Sequence, residues 1–154
     1  MGCNTRHVHA EDEKQWRELW DGYTRFYLRE PNEKITRHTW QRILDPASSV
    51  SAIVAEGEGC GIVGIANYIV HENTSALHPV CLVQDLYIAP SKRAEGAGRQ
   101  LLDWLVTRMQ IENWTQVYWH TRETNYRARG LYDKFTPHSG FLRYVVRNTA
   151  TGGD

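Results

Sequence analysis

A short stretch with two glycines and two arginines has the layout of an anion-binding turn. The segment Arg93 to Gly98 reads Arg-Ala-Glu-Gly-Ala-Gly, and it connects a β-prone segment ending at Pro90 to a helical pattern of apolar residues. Free backbone N–H groups in the first turn of a helix point at an anion, and the helix dipole adds positive charge there. Gly96 lets the backbone come close, and Arg93 and Arg99 can donate to phosphate oxygens. The spacing predicts a pyrophosphate-binding loop.

Two other nucleotide-binding motifs fail on spacing. A P-loop requires Gly-Lys-Ser/Thr after its second glycine, whereas Gly98 is followed by Arg99 and Gln100. A dinucleotide fingerprint requires a third glycine or alanine where this chain has Leu101. The remaining pattern is Arg-x-x-Gly-x-Gly.

This pattern resembles the acetyl-CoA-binding motif of the GNAT superfamily of N-acetyltransferases, and its surroundings match the order of elements in that family. Pro79 to Pro90 alternates as a strand, and apolar residues then recur at helical spacing from Leu101 to Met109. Gln116 to His120 is a short β-prone run, and a helix with Asn125 and Tyr132 follows. The resemblance implies that acetyl-CoA is bound by the loop residues Arg93, Ala94, Glu95, Gly96, Ala97, Gly98 and Arg99.

The carboxy-terminal half is closest to the branch that acetylates polyamines, D-amino acids and histones. The runs that carry this resemblance are Tyr-Trp-His-Thr, Leu-Tyr-Asp-Lys and Gly-Phe-Leu-Arg-Tyr. It implies direct transfer of an acetyl group from the thioester to a primary amine of a small molecule, of polyamine or amino acid type. The alternatives are an inactive acyl-CoA-binding or interaction domain on the same fold, and a protein lysine acetyltransferase of the histone type.

Three side chains of the predicted fourth helix match functional positions of the family. The resemblance makes Tyr132 the general acid that protonates the departing thiolate, a role that a phenol can fill. It places Asn125 and Arg129 at the cofactor and includes Asn125 in the catalytic set. Asn125 precedes Tyr132 by seven residues and shares its helical face, and it equally suits a helix N-cap. An ordinary packed tyrosine is the alternative for Tyr132.

The fold usually polarises the carbonyl through a backbone N–H of a splayed strand, here expected among Leu86, Tyr87 and Ile88. The proton acceptor is less evident. Many diamine-type relatives in the family carry Glu where this chain has Gln84, and an amide cannot accept a proton at neutral pH. Asp85 points to the other face if the strand alternates regularly, unless a bulge re-aims it. His120 ends the next strand close to the expected cleft, and histidine is the side chain most often used as a general base, so we assign it to the catalytic set. A structural role for His120 and loss of the proton straight to water are the alternatives.

The aromatic amino-terminal helix is expected to form the acceptor side of the cleft. Tyr23 and Tyr27, with Gln84 and Asp85, are the predicted substrate-binding residues. Aromatic faces there can stack on a cation. Core packing is the preferred interpretation for Trp16 and Trp20.

The remaining patterns complete an α+β, or mixed α/β, arrangement of the GNAT fold. We predict a central mixed, mostly antiparallel sheet flanked by about four helices. Further strands are predicted at Arg6–His9, Ser51–Glu56, Gly61–Val70 and Phe141–Arg147, with helices beginning at Ala10 and spanning Thr36–Leu44. The length of 154 residues predicts a single domain over residues 1–154.

Composition restricts the partners. Lys plus Arg equals Asp plus Glu at 18 each, so the zero formal charge does not favour a nucleic acid or an anionic membrane. The three cysteines lack Cys-x-x-Cys spacing, and we expect neither a metal site nor a disulfide framework. No apolar run reaches the length of a membrane span. We expect a cytoplasmic protein, and by analogy with relatives a homodimer.

Overall fold

The computed structural model describes residues 2–151. Five strands and four helices form it, joined by short 3₁₀ turns at Ala10–Asp12, Pro90–Lys92 and Thr149–Thr151. In chain order they are β1 (Cys3–His7), α1 (Glu13–Phe26), α2 (Glu33–Leu44), β2 (Val50–Gly57), β3 (Gly61–His71), β4 (Val80–Ile88), α3 (Ala97–Glu112), β5 (Val117–Trp119) and α4 (Tyr126–Tyr132). The chain divides into two compact units, one ending at His120 and one beginning at Thr121.

The first unit contains the whole sheet, in the order β1-β2-β3-β4-β5. The first four strands pair antiparallel with their neighbours, and β5 runs parallel to β4. This arrangement confirms the predicted mixed, mostly antiparallel sheet with four helices. β2 and β3 form a hairpin through the glycine-rich segment between the predicted strands Ser51–Glu56 and Gly61–Val70.

A tryptophan-rich core fills the space between α1, α2 and one face of the sheet. Trp16 is fully buried, and its ring lies 5.3 Å from that of Trp20 and 5.1 Å from that of Trp40. Ile65 of β3 belongs to the same cluster. Burying aromatic rings of this size contributes much of the stability of a small domain. The preference for core packing at Trp16 is therefore confirmed.

Helix α3 covers the other face of the sheet. Leu101 lies against Gly64, and successive residues of a strand point to opposite faces, so α3 and the Ile65 cluster lie on opposite sides. Leu101, Leu102 and Leu105 are fully buried. The helical spacing in the sequence therefore predicted this packing face correctly.

Several element boundaries differ from the prediction. β1 spans Cys3–His7 instead of Arg6–His9, and α2 begins at Glu33 because Asn32 caps it, accepting from the backbone N–H groups of Lys34 and Ile35 at 3.0 and 3.2 Å. The predicted helix start at Ala10 is a 3₁₀ turn that leads into α1.

The predicted last strand, Phe141–Arg147, is wrong for this structure. The segment has β-branched and aromatic residues, but no strand is assigned there and most of its side chains are exposed. Strand propensity needs a hydrogen-bonded neighbour to become a strand. None of the five described strands pairs with this segment.

Candidate active site

One extra residue interrupts the pairing of β4 with β3. Asn67 is opposite Asp85 and Tyr68 is opposite Val83, so Gln84 is left without a register partner. This is a β-bulge, which re-aims the side chains on either side of it. Gln84 is exposed, whereas Asp85 is only 8% exposed. The expectation of regular alternation through β4 is therefore wrong, and the bulge considered for Asp85 is present.

Asp85 is the centre of a buried polar network. Asn67 Nδ2 donates to Asp85 Oδ2 at 3.1 Å, and Trp16 Nε1 donates to Asn67 Oδ1 at 3.1 Å. Tyr23 of α1 lies close to the Asp85 carboxylate. An indole N–H is only a donor, so Asn67 must turn its oxygen to Trp16 and its NH₂ group to Asp85. The network therefore has one consistent set of donors and acceptors.

The electrostatics of this network follow from its burial. Burial raises the pKa of Asp85 above its usual range, while the hydrogen bond from Asn67, the neighbouring Tyr23 and the charge of Arg29 act in the opposite direction. The pKa of Tyr23 is raised by burial and by the adjacent Asp85 charge. The carboxyl group is thus a better proton acceptor than an exposed aspartate.

Aromatic rings from α1 and β4 surround Tyr23. The centroid of its ring lies 5.8 Å from Trp20, 4.9 Å from Tyr27 and 6.3 Å from Tyr87. Gly22 makes this packing possible, because a Cβ atom there would lie 2.8 Å from the Tyr87 hydroxyl oxygen. Of the predicted substrate-binding residues, the structure therefore brings together Tyr23, Tyr27 and Asp85.

The predicted anion-binding loop contains two residues with positive φ. Gly96 has φ of +92° and precedes α3, which begins at Ala97 without a side-chain cap. Ala94 also lies in the left-handed region, with φ of +67°. Because glycine has no side chain, the N-cap position of α3 leaves the first-turn N–H groups without a side-chain acceptor. A left-handed conformation at Gly96 costs little because glycine has no Cβ.

Arg93, the first residue of the loop, packs against the aromatic rings of α1 and β4, which we call the aromatic wall (Tyr23, Phe26, Tyr27 and Tyr87). Its guanidinium carbon is 5.6 Å from the Phe26 ring centroid and 5.2 Å from that of Tyr87, within the range of cation–π attraction. Its Nε donates to the carbonyl oxygen of Ile88 at 3.1 Å. Arg99, by contrast, is about half exposed, and its Nε lies 3.6 Å from Asp103.

β4 and β5 share only a short ladder. They pair from Cys81 to Val83, so Leu86, Tyr87 and Ile88 extend beyond the last pair with β5. Their other edge pairs with β3. His120 follows directly after β5 and is exposed, with its ring edge-on to Tyr118 at 5.8 Å. Tyr118 in turn hydrogen-bonds through its hydroxyl to His71 Nε2 at 2.7 Å.

The second unit contains α4 and the three residues that match functional positions of the family, Asn125, Arg129 and Tyr132. Asn125 is the N-cap of this helix, and its side chain accepts from the backbone N–H of Ala128 at 3.4 Å. This confirms the capping interpretation. Tyr132 is the last residue of α4. Arg129 NH1 donates to the carbonyl oxygen of Glu123 at 2.8 Å.

These features agree with the comparison to known families. Residues 13–136 match the model of the family described as Acetyltransferase (GNAT) family, so the chain belongs to that family and is an acetyltransferase enzyme. The family uses acetyl-CoA as co-substrate. The predicted membership and enzyme class are confirmed.

The chain is also similar to individual proteins, one in sequence and two in fold. The chain is 29% identical over 128 residues to the D-amino-acid N-acetyltransferase HPA3 of Saccharomyces cerevisiae, covering 82% of this chain and 80% of that protein. Its fold is similar to that of a ribosomal-protein-alanine N-acetyltransferase from Brucella melitensis, with a TM-score of 0.77, 18% identity, and coverage of 96% and 100% of the two chains. A soil metagenomic aminoglycoside acetyltransferase gives a TM-score of 0.74, 16% identity, and coverage of 94% and 97%.

Three further observations concern possible metal ligands, membrane-spanning helices and disulfides within residues 2–151. No group of three or more His, Cys, Asp or Glu side chains there is arranged to hold a metal ion. Within the same range, no helix combines the length and the apolar character that crossing a bilayer demands. Cys3, Cys60 and Cys81 are free thiols.

Sequence reasoning missed Asn67, Phe26 and Arg29 as parts of this region. Asn67 had a detectable signal, because it is a lone amide in the apolar run of β3, and buried polar groups need partners. Phe26 and Arg29 gave no such signal, since aromatic and arginine side chains are common at or after the end of a helix.

The burial of Asp85 predicts a measurable pH dependence of stability. Because its pKa is higher in the folded protein than in the unfolded chain, the folded state binds more protons, and stability falls as pH rises from about 4 through the folded pKa. Asp85→Asn is expected to lose that part of the decline. Denaturant titrations of both proteins at several pH values measure the free energy of unfolding.

Asp21→Asn, on the partly exposed surface of α1, is the matched control and is expected to follow wild type. Parallel pH curves for Asp85→Asn and wild type would contradict the raised pKa.

Proposed function

We propose that the protein is an acetyl-CoA-dependent N-acetyltransferase that acts on the primary amine of a small molecule of amino acid type, with polyamines as the related class. The observation that carries this proposal is a buried carboxylate, Asp85, on the sheet face that α1 covers with Tyr23 and its neighbouring aromatic rings, beside the point where β4 and β5 stop pairing. A carboxylate and aromatic faces together suit a cationic amine. The similarity to a D-amino-acid N-acetyltransferase supports the same class.

The loop before α3 is proposed to hold the diphosphate of acetyl-CoA. Support comes from the uncapped first turn of α3, from the left-handed Gly96, and from the neighbouring Arg93 and Arg99. Ala94, Glu95, Ala97 and Gly98 complete the backbone of this loop. When bound, acetyl-CoA supplies the thioester whose acetyl group is transferred.

The edge of β4 beyond Val83 is proposed to bind the acyl end of the cofactor. A backbone N–H among Leu86, Tyr87 and Ile88 would donate to the thioester carbonyl oxygen and stabilise the charge that develops there. The register supports this role, because β5 no longer pairs with these residues.

Tyr132 is proposed to donate its phenolic proton to the CoA thiolate as it leaves. Asn125 and Arg129 are proposed to contact the cofactor, and Asn125 combines this with its capping role. Two groups are candidates for taking the proton that the amine must lose: the exposed His120 and the buried Asp85. A protein lysine acetyltransferase is the alternative function, and acceptor tests separate it from the main proposal.

The first experiment measures CoA thiol release from acetyl-CoA with D- and L-amino acids, polyamines, aminoglycosides and histone peptides. Amino acids are expected to give the highest kcat/KM. Tyr132→Phe is expected to lower kcat by about 10²- to 10⁴-fold with little change in acetyl-CoA affinity, because it removes only the proton donor.

Tyr126→Phe is the matched control, since Tyr126 begins the same helix and is 73% exposed. Equal activity of Tyr132→Phe and Tyr126→Phe would remove Tyr132 from the mechanism. Highest activity on histone peptides would favour the protein lysine acetyltransferase.

Gly96→Ala tests the loop. A Cβ atom at φ of +92° forces the backbone away from its present conformation, so the affinity for acetyl-CoA, measured by isothermal titration calorimetry, is expected to fall at least tenfold. Gly59→Ala is the control, since Gly59 also has positive φ, +69°, but lies in the β2–β3 hairpin. Comparable affinity losses in both variants would indicate general destabilisation.

We further propose that the protein is a cytoplasmic homodimer. Phe141 and Tyr144 are 91% and 88% exposed, and neighbouring apolar side chains extend this surface, which is typical of a protein–protein contact. Light scattering is expected to give twice the chain mass of 17.8 kDa, and the double variant Phe141→Ser, Tyr144→Ser is expected to give the monomer mass. A monomer mass for wild type at all concentrations would contradict the dimer.

A further inference from the structure

Two cysteines line one cavity at the edge of the sheet. The cavity has a volume of about 550 Å³, and its lining includes Cys3 of β1 and Cys60 of the turn between β2 and β3. The first thiol is half-buried, the second is exposed, and both are free. We propose that these two cysteines form an oxidation site, at which a peroxide converts the two thiols to a reversible disulfide bond.

The pairing of β1 with β2 places Cys3 beside a residue that has no side chain. Cys3 is the register partner of Gly57. Side chains of directly paired residues point to the same face of a sheet, with their Cβ atoms about 4.5–5.5 Å apart. A Cβ atom on Gly57 would lie 3.4 Å from the Cβ atom of Cys60. The space that a side chain at position 57 would occupy is therefore next to both cysteines and is left open.

This face of β1 lies against α3. His7 follows Cys3 by four residues and so points to the same face, and its ring centroid lies 5.0 Å from that of Trp104 in α3. Lys92 and Glu95, which precede α3, also belong to the lining of the cavity. The cavity therefore lies between the edge strand β1, the β2–β3 turn and the segment that leads into α3.

The β2–β3 turn allows the approach that a disulfide requires, which is about 3.5–4.5 Å between the two Cβ atoms. Cys60 is flanked by Gly59 and Gly61, whose φ angles are +69° and +71°. Glycine changes its backbone angles at little steric cost. The Cys60 thiol donates to the carbonyl oxygen of Glu58 at 3.3 Å, and a thiol is a weak donor, so this bond is readily given up.

The reaction balances with a peroxide as the oxidant. The Cys60 sulfur attacks one peroxide oxygen and the O–O bond breaks, so Cys60 becomes a sulfenic acid while the other oxygen leaves with the thiol proton as water or an alcohol. The Cys3 sulfur then attacks the Cys60 sulfur, the S–O bond breaks, and the leaving hydroxide takes the Cys3 proton to form water. Two electrons pass from the sulfurs to the peroxide, and an external thiol reverses the change.

The charges of the cavity favour a neutral oxidant. Glu58 and Glu95 bring two negative charges to its lining, and Lys92 brings one positive charge. Hydrogen peroxide is small and neutral, so this net negative charge does not repel it, whereas oxidised glutathione is an anion and is repelled. Disulfides of cytosolic proteins are usually transient and redox-sensing, and a reversible bond formed by peroxide is of this kind.

The third cysteine is an internal control for the reaction. Cys81 is fully buried in β4, and burial raises the pKa of its thiol to about 12. Thiolate is the form that attacks a peroxide, and little of it is present at neutral pH when the pKa is so high. Cys81 is therefore expected to stay reduced.

The test treats the full-length, reduced protein with hydrogen peroxide and locates the bond. Cleavage after Lys, Arg and Glu places Cys3, Cys60 and Cys81 in three different peptides. Mass spectrometry is expected to find the Cys3 peptide linked to the Cys60 peptide. The count of free thiols is expected to fall from three to one per chain without a covalent dimer on non-reducing electrophoresis, and dithiothreitol is expected to restore it.

Single substitutions separate the two steps. Cys3→Ser leaves the sulfenic acid without its thiol partner, so dimedone, which labels sulfenic acids, is expected to label Cys60 about tenfold more than in wild type. Cys60→Ser is expected to slow the oxidation of Cys3 by about tenfold, since the attacking thiol is missing. Cys81→Ala is the matched control and is expected to form the same bond as wild type.

The bond also has a thermal signature. It would join residues 3 and 60 and restrict the unfolded chain, which stabilises the folded state. The Tm of oxidised wild type is therefore expected to exceed that of the reduced protein by about 5 °C. Cys3→Ser and Cys60→Ser are expected to keep the Tm of their reduced forms after the same treatment.

Three results would overturn the oxidation site: three free thiols after peroxide treatment, a linked pair that includes Cys81, or a bond between two chains. Acetylation of amines by the reduced protein is measured on the same samples. Because neither Cys3 nor Cys60 serves a step of acetyl transfer, failure of the oxidation site leaves the proposed function intact.

Discussion

In β4, one extra residue lies between the pairs Val83–Tyr68 and Asp85–Asn67. It moves each side chain that follows to the opposite face of the sheet. Without it, Asp85 would lie on the α3 face and would not meet Tyr23. Because side chains alternate along a strand, a single insertion decides which half of the strand faces which helix. The polar network, the aromatic wall and the end of the β5 ladder all occur at this irregularity.

The same strand also connects the acceptor side to the cofactor loop. The Tyr87 ring contacts both the Tyr23 ring and the Arg93 guanidinium. Arg93 also binds the carbonyl oxygen of Ile88 at the end of β4. Arginine can do both because its planar group stacks on aromatic rings while its edge donates hydrogen bonds. The loop is therefore anchored to the strand by a side chain of its own.

Much of this arrangement could be predicted from the sequence, because the signals are local. The glycine loop, the apolar faces of the helices and the glycine-rich hairpin turn each depend on a few adjacent residues. The bulge could be named only as an alternative, since nothing in Val-Gln-Asp-Leu specifies which residue is extra. The partners of Asp85 lie at sequence separations of 18 residues or more, and their pairing depends on the tertiary fold.

The failure at Phe141–Arg147 has a related cause. Its residues have the propensity of a strand, but propensity describes a preference for a pleated, half-buried surface and does not supply one. The sheet order contains no described neighbour for it. Prediction from sequence therefore succeeds where hydrogen-bond partners are close along the chain and fails where a partner must come from elsewhere.

The packing of Arg93 on Phe26 and Tyr87 limits the substitutions that preserve these contacts. A lysine at position 93 would keep the charge but lose the flat surface that covers both rings, and an aliphatic residue at position 26 or 87 would leave that surface without its π-face. The effects of substitutions at these three contacting positions are therefore non-additive, although helix, strand and loop are distant in the chain.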